Sequence, residues 1–192
     1  FFVQTLANGN ASLTFKEENK FVSSNATPVL YRNSQNDTAS LRLTMYSGST
    51  EDVVADGFVV NFGANFSNDL DQNDALKPVN QDENIGTKNS GKVLSFESRN
   101  FPTSEDIIPI ATTAYRNTNY SYKIAVNNFE GSTAYLHDKF NNTKTLLENN
   151  AETVYNFSVA TGNESSSENR FDIVFQRGTL GNDDFAAMNF NI

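Results

Sequence analysis

The sequence predicts an all-β fold, an antiparallel two-sheet β-sandwich for which a jelly-roll topology is one of the open arrangements. Three observations predict this class. Apolar residues recur at every second position in many short segments, clusters of Asn, Gly, Ser and Asp separate those segments, and no window has the apolar i, i+3, i+4, i+7 spacing of a helix. Short strands with one apolar face each bury that face when two antiparallel sheets pack together.

The candidate strands follow one another along most of the chain. In SLRLTMY, Leu41, Leu43 and Met45 share one face and Arg42 and Thr44 the other, as expected of a sheet covered on one side. The segments with this pattern are FFVQTL (1–6), ASLTF (11–15), PVLYR (28–32), SLRLTMY (40–46), DGFVVNF (56–62), KVLSFES (92–98), DIIPIAT (106–112), NYSYKIAV (119–126), TAYLHDKF (133–140), TKTLLE (143–148), TVYNFSVA (153–160) and RFDIVFQ (170–176).

Large side chains at the alternating positions supply the predicted core. The chain has 16 Phe and no Trp, and burial of one such side chain contributes roughly 1.5–3 kcal/mol. The residues that we expect to line the interior are Leu41, Leu43, Phe58, Val60, Ile124, Val126, Phe157, Val159, Phe171, Ile173 and Phe175.

A length of 192 residues favours one domain. The strand pattern ends near residue 177, so we expect a β-sandwich module over residues 1–177 and a tail or linker over 178–192. Residues 78–91 are polar, and we expect a loop there. Because the chain opens on FFVQTL without an initiator Met, we also expect it to be a piece of a longer polypeptide.

Charge and composition exclude several classes of partner. The chain carries 23 acidic and 14 basic residues, a net charge of −9, which phosphate backbones and anionic headgroups repel. No apolar run reaches the roughly 20 residues that span a bilayer, so we expect neither nucleic-acid binding nor direct membrane insertion. The absence of Cys removes disulfides, thiolate nucleophiles and the usual structural zinc sites.

The chain has no recognisable catalytic motif, and we predict that it is not an enzyme and has no catalytic residues. His137 is its only histidine, and its neighbour Asp138 points to the opposite face of a strand, so the two cannot easily share a proton. No Gly-x-Ser-x-Gly motif surrounds any serine. The absence of Trp weakens the case for a sugar-stacking cleft, for which Tyr31, Tyr46, Tyr115 and Tyr120 are the remaining candidates.

The stretch NDLDQNDALKP (68–78) raises the question of a metal site. Asp69, Asp71 and Asn73 have the spacing of the first three ligands of an EF-type calcium loop. Asp74 occupies the glycine position of that loop, and Asn80 the position of its bidentate Glu. We therefore expect a turn in which Asp and Asn side chains bond nearby amides, with no metal or cofactor. If calcium does bind, its ligands are Asp69, Asp71, Asp74 and the Asn73 carbonyl oxygen.

Eight segments follow one another in a characteristic order over residues 1 to about 177. They are FFVQTLANGNASLTF, LYRN, LRLTMYSGS, DGFVVNFGANFSNDLDQNDALKP, DIIPIAT, NYSYKIAVNNFEG, AYLHDKFNNTKTLLENNAETVYNFSVA and NRFDIVFQ. This order resembles a known family, the β-rich module that precedes the C-terminal sorting domain of large cell-surface proteins exported by the type IX secretion system of Bacteroidota.

This resemblance implies a non-enzymatic structural or adhesive module of a secreted, surface-located protein. Its expected partners are neighbouring modules of the same polypeptide, the secretion machinery through a following sorting domain, and surface glycans. The alternative that the residues leave open is a carbohydrate-binding module of a secreted protein. The segment DTA at residues 37–39 also looks like an O-glycosylation acceptor of exported Bacteroidota proteins, which makes Thr38 the expected glycan site.

Overall fold

The computed structural model of the chain describes residues 12, 14, 16, 39–48, 53–129 and 131–177. The chain divides into two compact units, residues 1–34 and 35–192, and the fold below belongs to the second. The predicted strands FFVQTL, ASLTF and PVLYR and the predicted tail lie outside the described residues. The domain boundaries inferred from the sequence therefore stay a prediction.

The described part of the chain is all-β, which confirms the predicted class. It contains a single 3₁₀ turn at Glu164–Ser166 and no α-helix. Its strands are β1 (Ala39–Ser47), β2 (Val53–Phe62), β3 (Ala75–Leu76), β4 (Asn84–Asn89), β5 (Lys92–Arg99), β6 (Ile107–Thr113), β7 (Asn119–Asn127), β8 (Ser132–Asp138), β9 (Thr143–Leu147), β10 (Ala151–Ser158) and β11 (Phe171–Arg177).

Alternation along most of the strands produces this architecture. In β1 the fully buried Leu43 is paired with Phe58 of β2 on one side and with Ile124 of β7 on the other. The next residue, Thr44, points outward and is only partly buried. Cross-strand apolar pairs of this kind fix the register, because a slip by one residue would expose the whole apolar face.

The strands form one continuous, nearly closed, barrel-like sheet and not two clearly separate sheets. The hydrogen-bonded order is β10-β7-β1-β2-β5-β4-β6-β11-β8-β9, with β3 added beside β5. The two sheets that the sequence predicts as separate are continuous because β5 pairs with β2 in one half of this order and with β4 in the other. Its residues 92–94 bond to β4, and its residues 96–99 bond to β2. The β2–β5 pairing is parallel, which corrects the expectation of a purely antiparallel fold.

The two end strands of this order, β9 and β10, are consecutive in the chain and are connected by residues 148–150. No strand pairing of the described residues joins them, so a gap in the backbone ladder remains between β10 and the β8–β9 hairpin. We call this gap the seam. Among the described strands, this is the gap that only side chains can close.

The core lies inside the curled sheet, and every residue predicted to line it is buried. Aromatic rings from opposite halves of the sheet meet there. The ring centroids of Tyr122 and Phe171 are 5.0 Å apart, and those of Phe62 and Phe175 are 6.0 Å apart. Buried residues that the core prediction omitted include Met45, Phe62, Ile85, Leu94, Ile108, Ile110, Tyr120, Tyr122, Phe129, Leu136 and Leu147.

Strand β4 corrects the expectation of a loop over residues 78–91. Residues 83–87 are buried, and β4 pairs with both β5 and β6. Gly86 allows this close approach, because a Cβ at that position would lie 2.7 Å from Val93 Cγ1 and would collide with the Leu94 carbonyl oxygen. The segment NIGTKN lacks alternation because it is covered on both faces. Without alternation, its Gly, Asn and Lys residues are those typical of a loop, which explains the incorrect prediction.

Candidate functional site

The seam is closed by a buried ion pair between Asp138 and Arg170. Asp138 is the last residue of β8, and Arg170 directly precedes β11; each side chain is 1% exposed. Arg170 Nε and Nη2 donate to the two carboxylate oxygens at 3.0 and 2.6 Å, a bidentate arrangement. Arg170 Nη1 also donates to the carbonyl oxygen of Ser158, the last residue of β10, and Tyr155 OH of β10 donates to Asp138 Oδ2. The pair therefore connects the two sides of the seam.

The surroundings of this pair satisfy both charges. The guanidinium of Arg170 lies 4.8–5.1 Å from the ring centroids of Phe140, Phe157 and Phe171. Burial alone would raise the pKa of Asp138, but the hydrogen bonds from Arg170 and Tyr155 outweigh it and hold that pKa below its usual 3.8. The carboxylate is therefore stabilised as the anion, which suits a structural role.

His137 points away from this cluster. It is partly exposed, whereas Asp138 is fully buried, as expected of adjacent residues in a strand. On the outer face His137 is paired with Asp172 of β11 and Lys144 of β9. Asp172 Oδ1 accepts from Lys139 Nζ at 2.8 Å. The structure therefore does not bring the only histidine together with the buried acid beside it.

The acidic stretch 68–78 forms a turn that is held by its own side chains. Asp71 Oδ1 accepts from the backbone N–H of Asn73 at 2.7 Å, and Asp74 Oδ2 accepts from that of Asp71 at 2.8 Å. Asp74 Oδ1 accepts from the N–H of Ser98 in β5, while Asp69 N–H donates to Ser67 Oγ. Three of these carboxylate oxygens thus bond to backbone amides, as in the turn that the sequence favours.

A second buried acid, Glu83, lies at the end of the fold where the β6–β7 loop packs. Tyr120 OH donates to Glu83 Oε1 at 2.8 Å, and the same phenol oxygen accepts from the backbone N–H groups of Arg116 and Asn117 at 2.8 and 2.7 Å. The loop enters this arrangement through Ala114, whose φ of 60° is unusual for a residue with a side chain. Burial raises the pKa of Tyr120 to about 12. The phenol therefore stays protonated and donates a hydrogen bond to Glu83.

Glu83 also lines a surface pocket of about 390 Å³. Its acidic and polar wall comes from Ser47, Asp82, Glu83, Arg116 and Asn117, and its apolar wall from Val53 and Val54. Asp82 is paired with Arg116, and Asn117 Nδ2 donates to Ser47 Oγ at 2.5 Å. Sequence reasoning did not find this pocket, because its residues are far apart in the chain and no motif connects them.

The tyrosines considered for sugar stacking have different placements. Tyr120 is 1% exposed and cannot stack on a ligand, and Tyr115 packs against it with ring centroids 5.1 Å apart. Tyr46 is partly exposed, with Lys123 Nζ 5.2 Å from its ring centroid. Tyr31 and the predicted glycan site Thr38 lie outside the described residues.

Comparison with known proteins identifies no relative: no protein-family model matches the chain, and no curated protein or solved structure is significantly similar to it. Across the described ranges, no three acidic or imidazole side chains lie close enough together to hold a metal ion. In that same part of the chain, no helix has the length and apolarity needed to cross a membrane.

Proposed function

We propose that this chain is a non-enzymatic structural or adhesive module of a larger cell-surface protein, and that it acts as a rigid folded spacer. The observation that supports this best is the seam. Asp138, Arg170 and Tyr155 join β8 and the start of β11 to β10, between which no backbone ladder of described residues runs. A sheet closed in this way resists opening at its free edges. The buried charge is committed to holding the fold together.

A second, largely buried ion pair has the same character. Lys77 Nζ donates to Asp56 Oδ1 at 2.6 Å and to the Gly57 carbonyl oxygen, while Asp56 Oδ2 accepts from the backbone N–H of Ile85 in β4. This pair therefore connects β2 with the segment after β3 and with β4. Such internal connections suit a protein whose task is to keep its shape under load.

The proposal includes a two-layer arrangement of the sheet. The ring contacts between opposite halves support facing layers, and the double pairing of β5 supports a single strand that passes from one layer to the other. Facing layers would lie about 10 Å apart. An experimental structure with a round cross-section and no such spacing would contradict this part of the proposal.

Export by the type IX secretion system to the cell surface is the part of the proposal that rests on the sequence resemblance. The test is antibody labelling of intact host cells with and without a functional type IX translocon. Labelling that depends on the translocon supports the proposal. Retention of the protein inside wild-type cells contradicts it, and turnover of any polysaccharide by the purified chain contradicts the non-enzymatic role.

The same exported form would carry an O-glycan on Thr38. The segment NSQNDTAS (33–40) is rich in polar residues, and glycan acceptors are typical of polar segments that connect strands at a protein surface. Mass spectrometry of the peptide that contains Thr38, released from host-produced protein, should show a mass above that of the unmodified peptide, and Thr38→Ala should remove the excess. A single unmodified mass for the wild-type peptide would eliminate the modification.

A further inference from the structure

Four apolar side chains form a continuous row across the outer face of the sheet. In β11, Val174 lies between two buried core residues and therefore points outward. It is paired with Tyr135 of β8 on one side and with Ile107 of β6 on the other, and Tyr135 is paired with Leu146 of β9. Ile107 is 54% exposed and Leu146 is 45% exposed, while the two residues between them are partly exposed. We call these four residues the apolar row.

The apolar row has a basic edge. At the usual strand spacing it is about 14 Å long, because it crosses the four neighbouring strands β9, β8, β11 and β6. The next outward-facing positions on one side are polar and include Lys144, His137 and Asp172. Asp172 is already paired with Lys139, whose Nζ donates to it at 2.8 Å. Lysine therefore exceeds acid along this edge, on a chain whose net charge is −9.

The size of the apolar row limits what can cover it. Contiguous apolar side chains on a surface mark a place where another segment packs. A stable interface between separate proteins usually buries about 800 Å² on each partner, and one row of four side chains, two of them only partly exposed, offers much less. A segment of the same chain needs less contact area, because its covalent attachment gives it a high effective concentration. The row therefore suits an intramolecular segment better than a second copy.

The segment after β11 is placed to reach the apolar row. β11 ends at Arg177, three residues beyond Val174, so residues 178–192 continue from a strand in the middle of the row. An extended chain advances about 3.3 Å per residue, so this segment is long enough to turn back and cover the row. Gly178 and Gly181 lie at its start, where glycine accepts the positive φ of a tight turn at little cost.

The composition of this segment matches the apolar row and its edge. Phe185 and the alternating sequence MNFNI (188–192) supply apolar side chains that can lie on one face. The charged side chains of residues 178–192 are Asp183 and Asp184, and both are acidic, which complements the lysines at the edge of the row. Position, apolar content and charge therefore favour the same occupant.

We propose that residues 178–192 dock across the apolar row. The apolar side chains of the segment cover the row, and Asp183 and Asp184 lie beside Lys144. Docking removes the row from water and fixes the direction in which the polypeptide leaves the sheet. It does not require the surface location or the spacer role proposed above.

The test is paramagnetic relaxation NMR on the full chain. Because the chain has no Cys, Asn189→Cys carries a nitroxide label at a single place. In isotope-labelled protein, the nitroxide should remove the amide signals of Tyr135 and Val174 and leave those of β1, in the other half of the strand order, unchanged. Chemical reduction of the nitroxide should restore the lost signals. Ile107→Asp and Leu146→Asp, at the two ends of the row, should each prevent the loss.

A matched control separates docking on the row from general effects of added charge. Val54 is 61% exposed on β2, outside the row, so Val54→Asp introduces the same charge elsewhere and should leave the signal loss in place. Retention of the row signals in the labelled chain without further substitutions overturns the proposal. So does a signal loss that neither Ile107→Asp nor Leu146→Asp prevents.

A mixing experiment distinguishes the chain's own segment from a second copy. Isotope-labelled protein without nitroxide is mixed with nitroxide-labelled protein that carries no isotope, so that signals can be lost only through contacts between copies. The row signals should stay intact in this mixture. Their loss would assign the apolar row to a second copy and would overturn the proposal.

Discussion

Replacement of Asp138 by Asn removes one charge from the seam while keeping the shape of the side chain. Wild-type Asp138 Oδ1 accepts from Arg170 Nε and from the backbone N–H groups of Phe140 and Asn141. Its Oδ2 accepts from Arg170 Nη2, Tyr155 OH and Asn141 Nδ2 at 2.6–2.9 Å. The amide oxygen of Asn can accept the hydrogen bonds that Oδ1 accepts in the wild type. Its NH₂ group would instead face the three donors that bond to Oδ2, and the charge of Arg170 would stay buried without a counter-ion.

The expected cost of Asp138→Asn is about 3–5 kcal/mol of unfolding free energy, the usual result of removing one partner of a buried pair. Tyr155→Phe removes one hydrogen bond to a charged acceptor and should cost about 1.5–3 kcal/mol. Urea denaturation of the full chain measures both. The control is Glu168→Gln, which breaks the exposed Lys88–Glu168 pair and should cost about 0–1 kcal/mol. If Asp138→Asn costs no more than this control, the seam does not depend on buried charge.

Three further predictions concern pH and packing. Because the folded pKa of Asp138 is lowered, its contribution to stability is present above about pH 4 and is lost as the pH falls through the folded pKa. Urea unfolding measured at decreasing pH should show this loss of stability in the wild type and a smaller loss in Asp138→Asn. Because the folded pKa of Tyr120 is raised, its contribution to stability is complete below pH 10.0 and is lost as the pH rises towards about 12. Alkaline unfolding followed by circular dichroism should show a smaller loss of stability in Tyr120→Phe than in the wild type. Gly86→Ala should lower the unfolding free energy measured in urea by about 1–3 kcal/mol, because the added Cβ would collide with β5. Gly91→Ala is the control: nothing lies within 4 Å of its Cβ, so this variant tests only the effect of a positive φ.

The sequence predicts the strands whose alternation is strong. Segments such as SLRLTMY and NYSYKIAV became β1 and β7 with the expected inward faces, because each has one wet side and one covered side. It fails for β4, where burial on both faces and the close approach at Gly86 erase the alternation. It also fails for the parallel pairing of β5 with β2, since strand partners are set by the path of the chain and not by local pattern.

The candidate sites are less predictable than the strands. The hydrogen bonds that Asp71 and Asp74 make within the turn depend on local side-chain chemistry, which the sequence pattern indicates. Glu83, Arg116 and Val54 are separated by long stretches of chain, and only the folded sheet brings them to one pocket. The structural role of Asp138 cannot be inferred from the sequence either, because its partner Arg170 precedes a different strand. Its neighbour His137 was the residue that sequence analysis singled out.

The central claim is that side chains across the seam make this sheet a rigid module, and native-state hydrogen exchange tests it most directly. The amides of β10 that bond to β7 belong to an end strand, which would open locally if nothing held its free side. With the Asp138–Arg170–Tyr155 connection in place, we predict that these amides exchange only through global unfolding, with the same free energy as amides of the central strand β1. Exchange of the β10 amides at a much lower free energy than those of β1 would contradict the claim.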